Sequence, residues 1–115
     1  MVLRNNATIS VFDSGFLLGD GVWEGIRLLN RKLVFLDEHI DRLYDGAQKL
    51  AINIGYTKNQ LTKILYTVLE ENNMTTGVHL RIIVSRGLKK TPYQHPNVNI
   101  GNSTIVIIPE FKESD

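Results

Sequence analysis

Residues 22–36 read VWEGIRLLNRKLVFL, two apolar segments on either side of Asn30 and Arg31. The segments Val22 to Leu29 and Lys32 to Leu36 predict the two arms of a β-hairpin with its turn at Asn30-Arg31. Asn followed by Gly is the stronger hairpin signal, because both central residues of a type I′ turn take positive φ. We therefore expect either backbone strain at Arg31 or a longer loop.

The segment before the hairpin is predicted to be a short strand followed by a glycine-rich turn. Ile9 to Phe12 alternates apolar and polar residues, which is typical of a strand. Gly15, Gly19 and Gly21 then bracket an apolar turn. Glycine loops that cradle phosphate need a helix N-terminus after them, whereas here a strand follows. We interpret the glycines as a tight connection that needs positive φ.

Two amphipathic helices are predicted after the hairpin. Asp37 is a candidate N-cap for the first helix. The apolar residues of this helix repeat at spacings of three and four: Ile40, Leu43, Tyr44, Ala47, Leu50 and Ala51. The second helix begins with Thr57 and Gln60 at capping-box spacing and ends at Asn72-Asn73.

The last part of the chain predicts two buried strands, and the order of elements then predicts the fold class. Val78 to Ser85 and Thr104 to Ile108 are rich in β-branched and aliphatic residues. Gly87 to Ser103, between them, is predicted to be a long exposed loop. The order strand, hairpin, two helices, strand, strand predicts one α+β domain over residues 1–115. We expect a two-layer sandwich, a mostly antiparallel sheet with two helices on one face.

Composition excludes several classes of function. Thirteen basic and twelve acidic residues give a net charge of +1, which offers no field for nucleic acid or anionic membranes. There is no cysteine, so disulfides and Cys-ligated metals are excluded. His39, His79 and His95 match no metal-ligand spacing, and no metal site is expected. With no apolar run of membrane-span length and no signal-peptide h-region, we expect a cytoplasmic protein.

Arg42 lies on the first predicted helix, about 200° around the axis from Ile40, so it points away from the core face. By periodicity alone it is a solvent-exposed arginine. Gly46 follows one turn later on the same side and would leave space beside the guanidinium. A glycine inside a helix costs about 1 kcal/mol relative to alanine, so that space would need a use.

Arg81 stands in the middle of an apolar strand. Alternation places it with Ile83 on one face, and three aliphatic residues on the other: Leu80, Ile82 and Val84. An unpaired buried charge costs several kcal/mol, so the guanidinium must reach the rim, a protein carboxylate or an anionic ligand. A structural ion pair and a ligand carboxylate are both open, since the planar guanidinium binds carboxylates bidentately.

Residues 9–27, ISVFDSGFLLGDGVWEGIR, resemble the opening motif of the class IV aminotransferases, the fold-type IV pyridoxal-phosphate enzymes. The resemblance continues through residues 36–44, LDEHIDRLY, and His79-Leu80-Arg81. It extends to Ser85-Arg86-Gly87 and Thr91-Pro92-Tyr93, and so covers nearly the whole chain. It implies the N-terminal domain of a branched-chain aminotransferase-like enzyme, an α+β sandwich in agreement with the order of elements.

The resemblance also implies pyridoxal 5′-phosphate as the cofactor and assigns three site residues. Arg42 matches the family arginine that binds the cofactor phosphate. Arg81 matches the arginine that branched-chain enzymes use for a substrate side-chain carboxylate. Trp23, by itself most simply a core or interface aromatic, stands where the family usually has Phe or Tyr lining the substrate pocket.

No catalytic residue is expected in this chain. In the family, the catalytic lysine and the glutamate that faces the pyridine nitrogen come from a larger second domain. None of the lysines in this sequence stands in the family's lysine motif. We expect a fragment of a two-domain enzyme, trimmed at both ends, that is inactive alone and does not retain the cofactor.

The implied reaction moves an amino group between a hydrophobic, branched-chain amino acid and a 2-oxo acid such as 2-oxoglutarate, in a homodimer. The family's D-amino-acid enzymes place an Arg and a His on the later loop, where this chain has Thr91 and Tyr93. That difference argues against a strict D-amino-acid specificity. The alternatives are an R-selective amine or D-amino-acid transaminase, an aminodeoxychorismate lyase, and a non-catalytic binding or dimerisation module.

Overall fold

The chain folds around a four-stranded antiparallel sheet, seen in a computed structural model that describes residues 2, 4–89, 99–100 and 102–112. After a 3₁₀ turn at Arg4–Asn6, the elements follow in this order: α1 (Ser14–Leu18), β1 (Gly21–Leu29), β2 (Lys32–Leu33), α2 (Leu36–Lys49), α3 (Lys58–Glu71), β3 (Val78–Ser85), β4 (Leu88–Lys89), β5 (Asn99–Ile100) and β6 (Thr104–Phe111). The sheet order is β2-β1-β3-β6, and β4 pairs with β5 in a separate ribbon. The predicted α+β class is confirmed.

The core lies between one face of the sheet and helices α2 and α3. Alternation along β3 buries Leu80, Ile82 and Val84 completely under the helices. The helices contribute their apolar stripes to the same core: Ile40, Leu43 and Ala47 from α2, and Leu61, Leu65, Val68 and Leu69 from α3. The opposite face of the sheet is not covered by either helix, and Arg81 lies on it, as the alternation predicts.

The predicted turn between β1 and β2 is confirmed as a two-residue loop. Asn30 and Arg31 have φ values of 50° and 68°, so both take the left-handed conformation that a type I′ turn requires. The Arg31 N–H donates to the carbonyl of Thr75 at 2.6 Å, which helps hold the strained residue in place. The second arm is shorter than predicted, since β2 is only Lys32–Leu33.

The helix boundaries agree with the sequence pattern at α3 and differ from it at α2. The Thr57 hydroxyl accepts from the Gln60 N–H at 3.1 Å, and the Gln60 side chain accepts from the Thr57 N–H at 2.9 Å. This is the predicted capping box. The prediction of Asp37 as the α2 N-cap was wrong, because the left-handed Phe35 (φ 54°) turns the chain and the helix starts at Leu36. Asp37 instead lies in the first turn, where its charge favours the helix dipole.

The strand predicted at Ile9 to Phe12 is absent. The Ser10 hydroxyl accepts from the Phe12 N–H at 3.0 Å, and the Ser10 carbonyl accepts from the Asp13 N–H at 3.0 Å. These local bonds fold the segment into a turn. Its apolar side chains are exposed, so the alternation does not reflect burial against a sheet.

The glycine-rich segment forms the short helix α1 rather than an apolar turn. Gly19 ends α1 with φ 65°, as the prediction of positive φ requires. Gly15 and Gly21 do not take positive φ, and at these two positions the prediction was wrong. They are close-approach positions instead: a Cβ at Gly21 would lie 2.6 Å from the carbonyl oxygen of Val84.

The described part of the predicted long loop Gly87 to Ser103 contains two short strands. Strands β4 and β5 pair at its two ends, with Leu88 opposite Ile100. Gly87 is buried, with φ 104° and its ideal Cβ only 2.3 Å from the Asn102 carbonyl oxygen. Residues 90–98, which include Thr91 and Tyr93, lie outside the described residues.

Candidate functional site

A buried carboxylate and an exposed guanidinium form the first part of the site. Glu24 lies on the core face of β1 and is only 5% exposed. Helix α2 brings Arg42 above it, and the Arg42 Nε donates to Oε1 while Nη2 donates to Oε2 at 2.9 Å. The Arg42 side chain is 71% exposed, so it is anchored at its inner edge and open to solvent elsewhere.

His39, one turn before Arg42, completes this cluster. Its Nδ1 lies 3.4 Å from Oε2 of Glu24 and 3.4 Å from Nη2 of Arg42. The hydrogen bond from Arg42 lowers the pKa of Glu24 below its ordinary value, against the opposing effect of burial. Glu24 in turn raises the pKa of Arg42. The pair is therefore fully ionised at neutral pH.

Gly46 has a different use from the one expected. The sequence suggests that it leaves space beside the Arg42 guanidinium. In the structure its missing side chain faces β1, where a Cβ would lie 3.2 Å from Cγ1 of Val22. The glycine therefore lets α2 pack closely on β1, which brings Arg42 within reach of Glu24.

The second part of the site lies on the open face of the sheet and brings together the other two predicted residues. The Arg81 guanidinium stacks over Trp23, 5.2 Å from Cζ to the ring centroid. Gly25 lies directly opposite Arg81 in the sheet. A Cβ at Gly25 would lie 2.8 Å from Cε1 of His79, so the imidazole occupies the space above the glycine.

The exposure of Arg81 and Trp23 argues against two of the interpretations that the sequence left open, a buried ion pair for Arg81 and a core position for Trp23. Trp23 is 63% exposed, which excludes a core role within the described fold. Arg81 is exposed on the strand and stacks on Trp23, rather than lying buried against a carboxylate. Both side chains are therefore free to contact a ligand on the open face.

His79 shares the open face with several charged groups. Burial is the main cause that lowers its pKa, and the nearby cations Lys112, Arg81 and Arg27 lower it further. Glu110, opposite His79 on β6, acts in the other direction. The pKa of His79 is therefore lower than its ordinary value, and the imidazole is neutral at neutral pH although it lies beside several cations.

A shallow apolar groove of about 200 Å³ adjoins Trp23 on the open face. It is lined by the segment before β1 and by strands β1, β3 and β6, among them Ile9, Phe16, Trp23, Ile83 and Val106. The site thus joins an apolar surface to the cationic side chain of Arg81.

Arg42 and the Trp23–Arg81 pair lie on opposite faces of β1. Strand β2 pairs with Leu28 and Leu29, and the Val34 N–H that follows it donates to the Arg27 carbonyl at 2.8 Å, so β2 does not extend alongside residues 21–26 of β1.

The segment that leads into β1 is fixed by two polar contacts, one partly buried and one buried. Arg86 donates to both carboxylate oxygens of Asp20, at 2.6 and 3.2 Å, and to the carbonyls of Leu50 and Ala51. The Asp13 carboxylate accepts from the Ser85 hydroxyl at 2.7 Å. Burial raises the pKa of Asp13, but hydrogen bonds from side chains and backbone outweigh it and the net shift is downward.

Three site residues were not assigned a role from the sequence: Glu24, His39 and His79. Glu24 carries a detectable signal, because alternation places it in the same buried stripe as Ile26 and Leu28. His79 shares the face of Arg81 by the same alternation. His39 has no such signal, since its contact depends on how α2 packs.

The described part of the chain lacks two further kinds of feature. It contains no cluster of three His, Cys, Asp or Glu side chains arranged to hold a metal ion. None of its helices has the length and apolar character needed to cross a membrane.

Comparison with known proteins identifies the family. The model of the class IV amino-transferases matches residues 21–114, a range that contains both parts of the site. The chain belongs to the class IV aminotransferase family.

Individual relatives cover most of this chain. It is 38% identical over 112 residues to the branched-chain-amino-acid aminotransferase-like protein 2 of Arabidopsis thaliana, covering 97% of this chain and 20% of that protein. It is 43% identical over 95 residues to the D-alanine aminotransferase of Listeria innocua, covering 83% of this chain and 32% of that protein. The chain therefore spans less than a third of the length of both relatives.

A solved structure shows the same fold. The branched-chain amino acid aminotransferase from Escherichia coli superposes with a TM-score of 0.82 at 23% identity. The match covers 96% of this chain and 38% of that one.

Proposed function

We propose that this chain is the small domain of a pyridoxal-phosphate-dependent aminotransferase of the branched-chain type. The enzyme would transfer an amino group between a hydrophobic amino acid and a 2-oxo acid such as 2-oxoglutarate. Its catalytic lysine would lie outside residues 1–115. The observation that carries the proposal is the Arg42 guanidinium, exposed to solvent yet anchored to a buried carboxylate.

The residues present fit the phosphate of the cofactor. A guanidinium binds phosphate through charge-assisted, often bidentate hydrogen bonds, and Arg42 presents its outer side to solvent. When bound, pyridoxal phosphate supplies an electron sink for the bond changes at the amino-acid α-carbon. Within this chain, Arg42 would hold the phosphate and Trp23 would form a wall of the pocket.

Trp23 and Arg81 support a substrate pocket that accepts both kinds of partner. The apolar groove and the indole suit a hydrophobic side chain, because burial of apolar surface stabilises the complex. Arg81 suits the side-chain carboxylate of a dicarboxylic partner. When the substrate side chain is uncharged, the Arg81 guanidinium can stay stacked on the Trp23 ring.

The substrate proposal is tested by measuring the two half-reactions in the full-length protein with Arg81→Leu. Loss of the charge-assisted pair should lower kcat/KM for 2-oxoglutarate by about ten- to a hundredfold, or about 1.4–2.7 kcal/mol. The half-reaction with leucine or isoleucine should fall much less. Equal losses for both substrates with a lowered melting temperature would show that Arg81 is structural.

A D-amino-acid transaminase is the second candidate. It is favoured by the similarity to the Listeria innocua D-alanine aminotransferase, at 43% identity over 83% of this chain. Assays of the full-length protein with D-alanine and with L-leucine separate the two candidates, and activity with neither favours a lyase or a non-catalytic module. The 115-residue chain alone should show no transamination, because it lacks the family's lysine motif.

We also propose that the protein acts as a homodimer. Phe16 and Trp23 are 65% and 63% exposed beside the apolar groove, and exposed apolar surface of this kind favours association. Light scattering on the full-length protein should give the mass of a dimer, and a monomer at high concentration would contradict this.

A further inference from the structure

We propose that Glu24 is the positioning residue that directs Arg42 toward the cofactor phosphate. The inference rests on the proposed function and deepens it, because it concerns how this chain prepares the phosphate site rather than which ligand binds. It follows from the burial of Glu24 and from its two-point contact with Arg42.

The contact fixes the plane of the guanidinium. Nε and Nη2 of Arg42 each donate to a different oxygen of Glu24, so the two planar groups are held edge to edge. The guanidinium has five N–H donors, and this contact uses two of them on one edge. Of the remaining donors, those on Nη2 also have Nδ1 of His39 at 3.4 Å, and the side chain as a whole is 71% exposed, which leaves the guanidinium accessible to a ligand. A long exposed arginine would otherwise sample many rotamers.

The anchor is itself fixed. Glu24 is 5% exposed and stands in register opposite Ile82 in the centre of the sheet. Its carboxylate also has Nδ1 of His39 within 3.4 Å, so it is held between two residues of α2. This geometry distinguishes the pair from Lys49–Asp45, an ion pair between two exposed side chains of the same helix.

A role in charge balance and a role in positioning Arg42 predict opposite effects on phosphate binding when Glu24 is replaced. Its negative charge opposes the approach of an anion, so if Glu24 only balanced charge, replacing it with a neutral residue would strengthen phosphate binding. If Glu24 positions Arg42, the same replacement would weaken phosphate binding. The sign of the change therefore separates the two roles.

The experiment measures the dissociation constants of pyridoxal 5′-phosphate and pyridoxal by spectroscopic titration of the full-length protein. The ratio of the two isolates the phosphate contribution. We expect Arg42→Ala to lower the preference for the phosphorylated form by about ten- to a hundredfold, and Glu24→Gln to lower it by about three- to tenfold. Asp45→Asn removes one negative charge from α2 and is the matched control, with no expected loss.

A double variant separates positioning from support of the fold. In the Arg42→Ala background, Glu24→Gln should cause no further loss of phosphate preference, because the group that it positions is gone. Glu24→Asp, whose shorter side chain retains the charge but shifts the carboxylate, should also lower the preference. It serves as the test if Glu24→Gln does not fold.

The outcomes distinguish this inference from the proposed function. If Arg42→Ala lowers the phosphate preference while Glu24→Gln leaves it unchanged or raises it, Glu24 does not position Arg42 and the proposed function stands. An equal loss from Glu24→Gln with and without Arg42 also overturns the inference. If Arg42→Ala leaves the preference unchanged, the phosphate role of Arg42 fails, and with it both proposals.

Discussion

The two faces of the sheet are made by the same strands and have opposite properties. Along β3, Leu80 and Ile82 are fully buried beneath the helices, while His79 and Arg81 alternate with them on the open face. On the core face, the centre of the sheet contains the charged residue Glu24, and that residue is paired. The open face carries several cations and an exposed tryptophan.

This difference means that the core face stabilises the fold, whereas the open face is available to bind a ligand. The core face gains free energy from the burial of aliphatic side chains, at about 25 cal/mol per Å². The open face forgoes that gain and presents groups that a ligand can contact. Alternation thus lets one strand such as β1 place Glu24 under α2 and its neighbour Trp23 in the groove.

The largest expected effect comes from two adjacent isoleucines on the two faces. Ile82→Ala should lower the free energy of unfolding by about 2–5 kcal/mol, because it leaves a cavity in a packed core. Ile83→Ala, the matched control on the open face, should cost less than about 1 kcal/mol. Urea denaturation of both variants measures the difference, and similar losses would mean that Ile83 is packed as closely as Ile82.

The next effect compares two glycines of β1. Gly21→Ala should cost about 1–3 kcal/mol, because its Cβ would lie 2.6 Å from the Val84 carbonyl oxygen, a backbone atom that cannot move freely. Gly25→Ala should change stability by less than about 0.5 kcal/mol, because its Cβ would meet only the His79 ring, which can rotate. Thermal unfolding of the two variants tests this contrast. Equal losses would mean that the His79 ring is held as rigidly as the backbone.

Much of the core face could be predicted from the sequence, because burial leaves a periodic signal. The alternation of β3 and the three-and-four spacing in α2 correctly assigned Ile82 and Leu43 to the core. The α3 capping box was also found, since its hydrogen bonds join residues close in sequence. Local chemistry of this kind can be recognised before the fold is known.

The site was less predictable, because its contacts join residues that are distant in sequence. The pairing of Arg42 with Glu24 depends on how α2 crosses β1, and periodicity alone assigned Arg42 to solvent. The sequence correctly indicated that the missing side chain of Gly46 has a structural use. The space that it leaves, however, faces Val22 on β1 rather than the Arg42 guanidinium. The absent strand at residues 9–12 shows the converse, an alternating pattern that pairs with no strand among the described residues.

The third prediction concerns the charge on the core face and its dependence on pH. The pKa of Glu24 lies below its ordinary value of 4.5 in the folded protein, so the folded state holds the ionised form more strongly than the unfolded state does. The resulting stability is present above about pH 4.5 and is lost as the pH falls toward the folded pKa. Glu24→Gln should therefore lose less stability than the wild type as the pH falls from neutral through about 4.5 and below. Urea midpoints across this pH range measure the difference, with Asp45→Asn as the control for an exposed charge. Parallel curves for the wild type and Glu24→Gln would contradict the assignment.

The smallest expected effect is the coupling between Trp23 and Arg81 on the open face. A cation–π contact at an exposed site contributes about 0.5–1 kcal/mol. The free energies of unfolding of Trp23→Leu, Arg81→Met and the double variant should therefore give a coupling energy in that range. Each variant keeps apolar bulk, so the cycle isolates the charge–ring term rather than lost packing. A coupling above about 2 kcal/mol would indicate a desolvated, structural pair and would argue against a guanidinium that is free to leave the indole for a carboxylate. A coupling near zero would mean that Arg81 already points to solvent without Trp23. The intermediate value is the one that a substrate-exchangeable arginine requires, because the contact must be strong enough to orient the side chain and weak enough to release it.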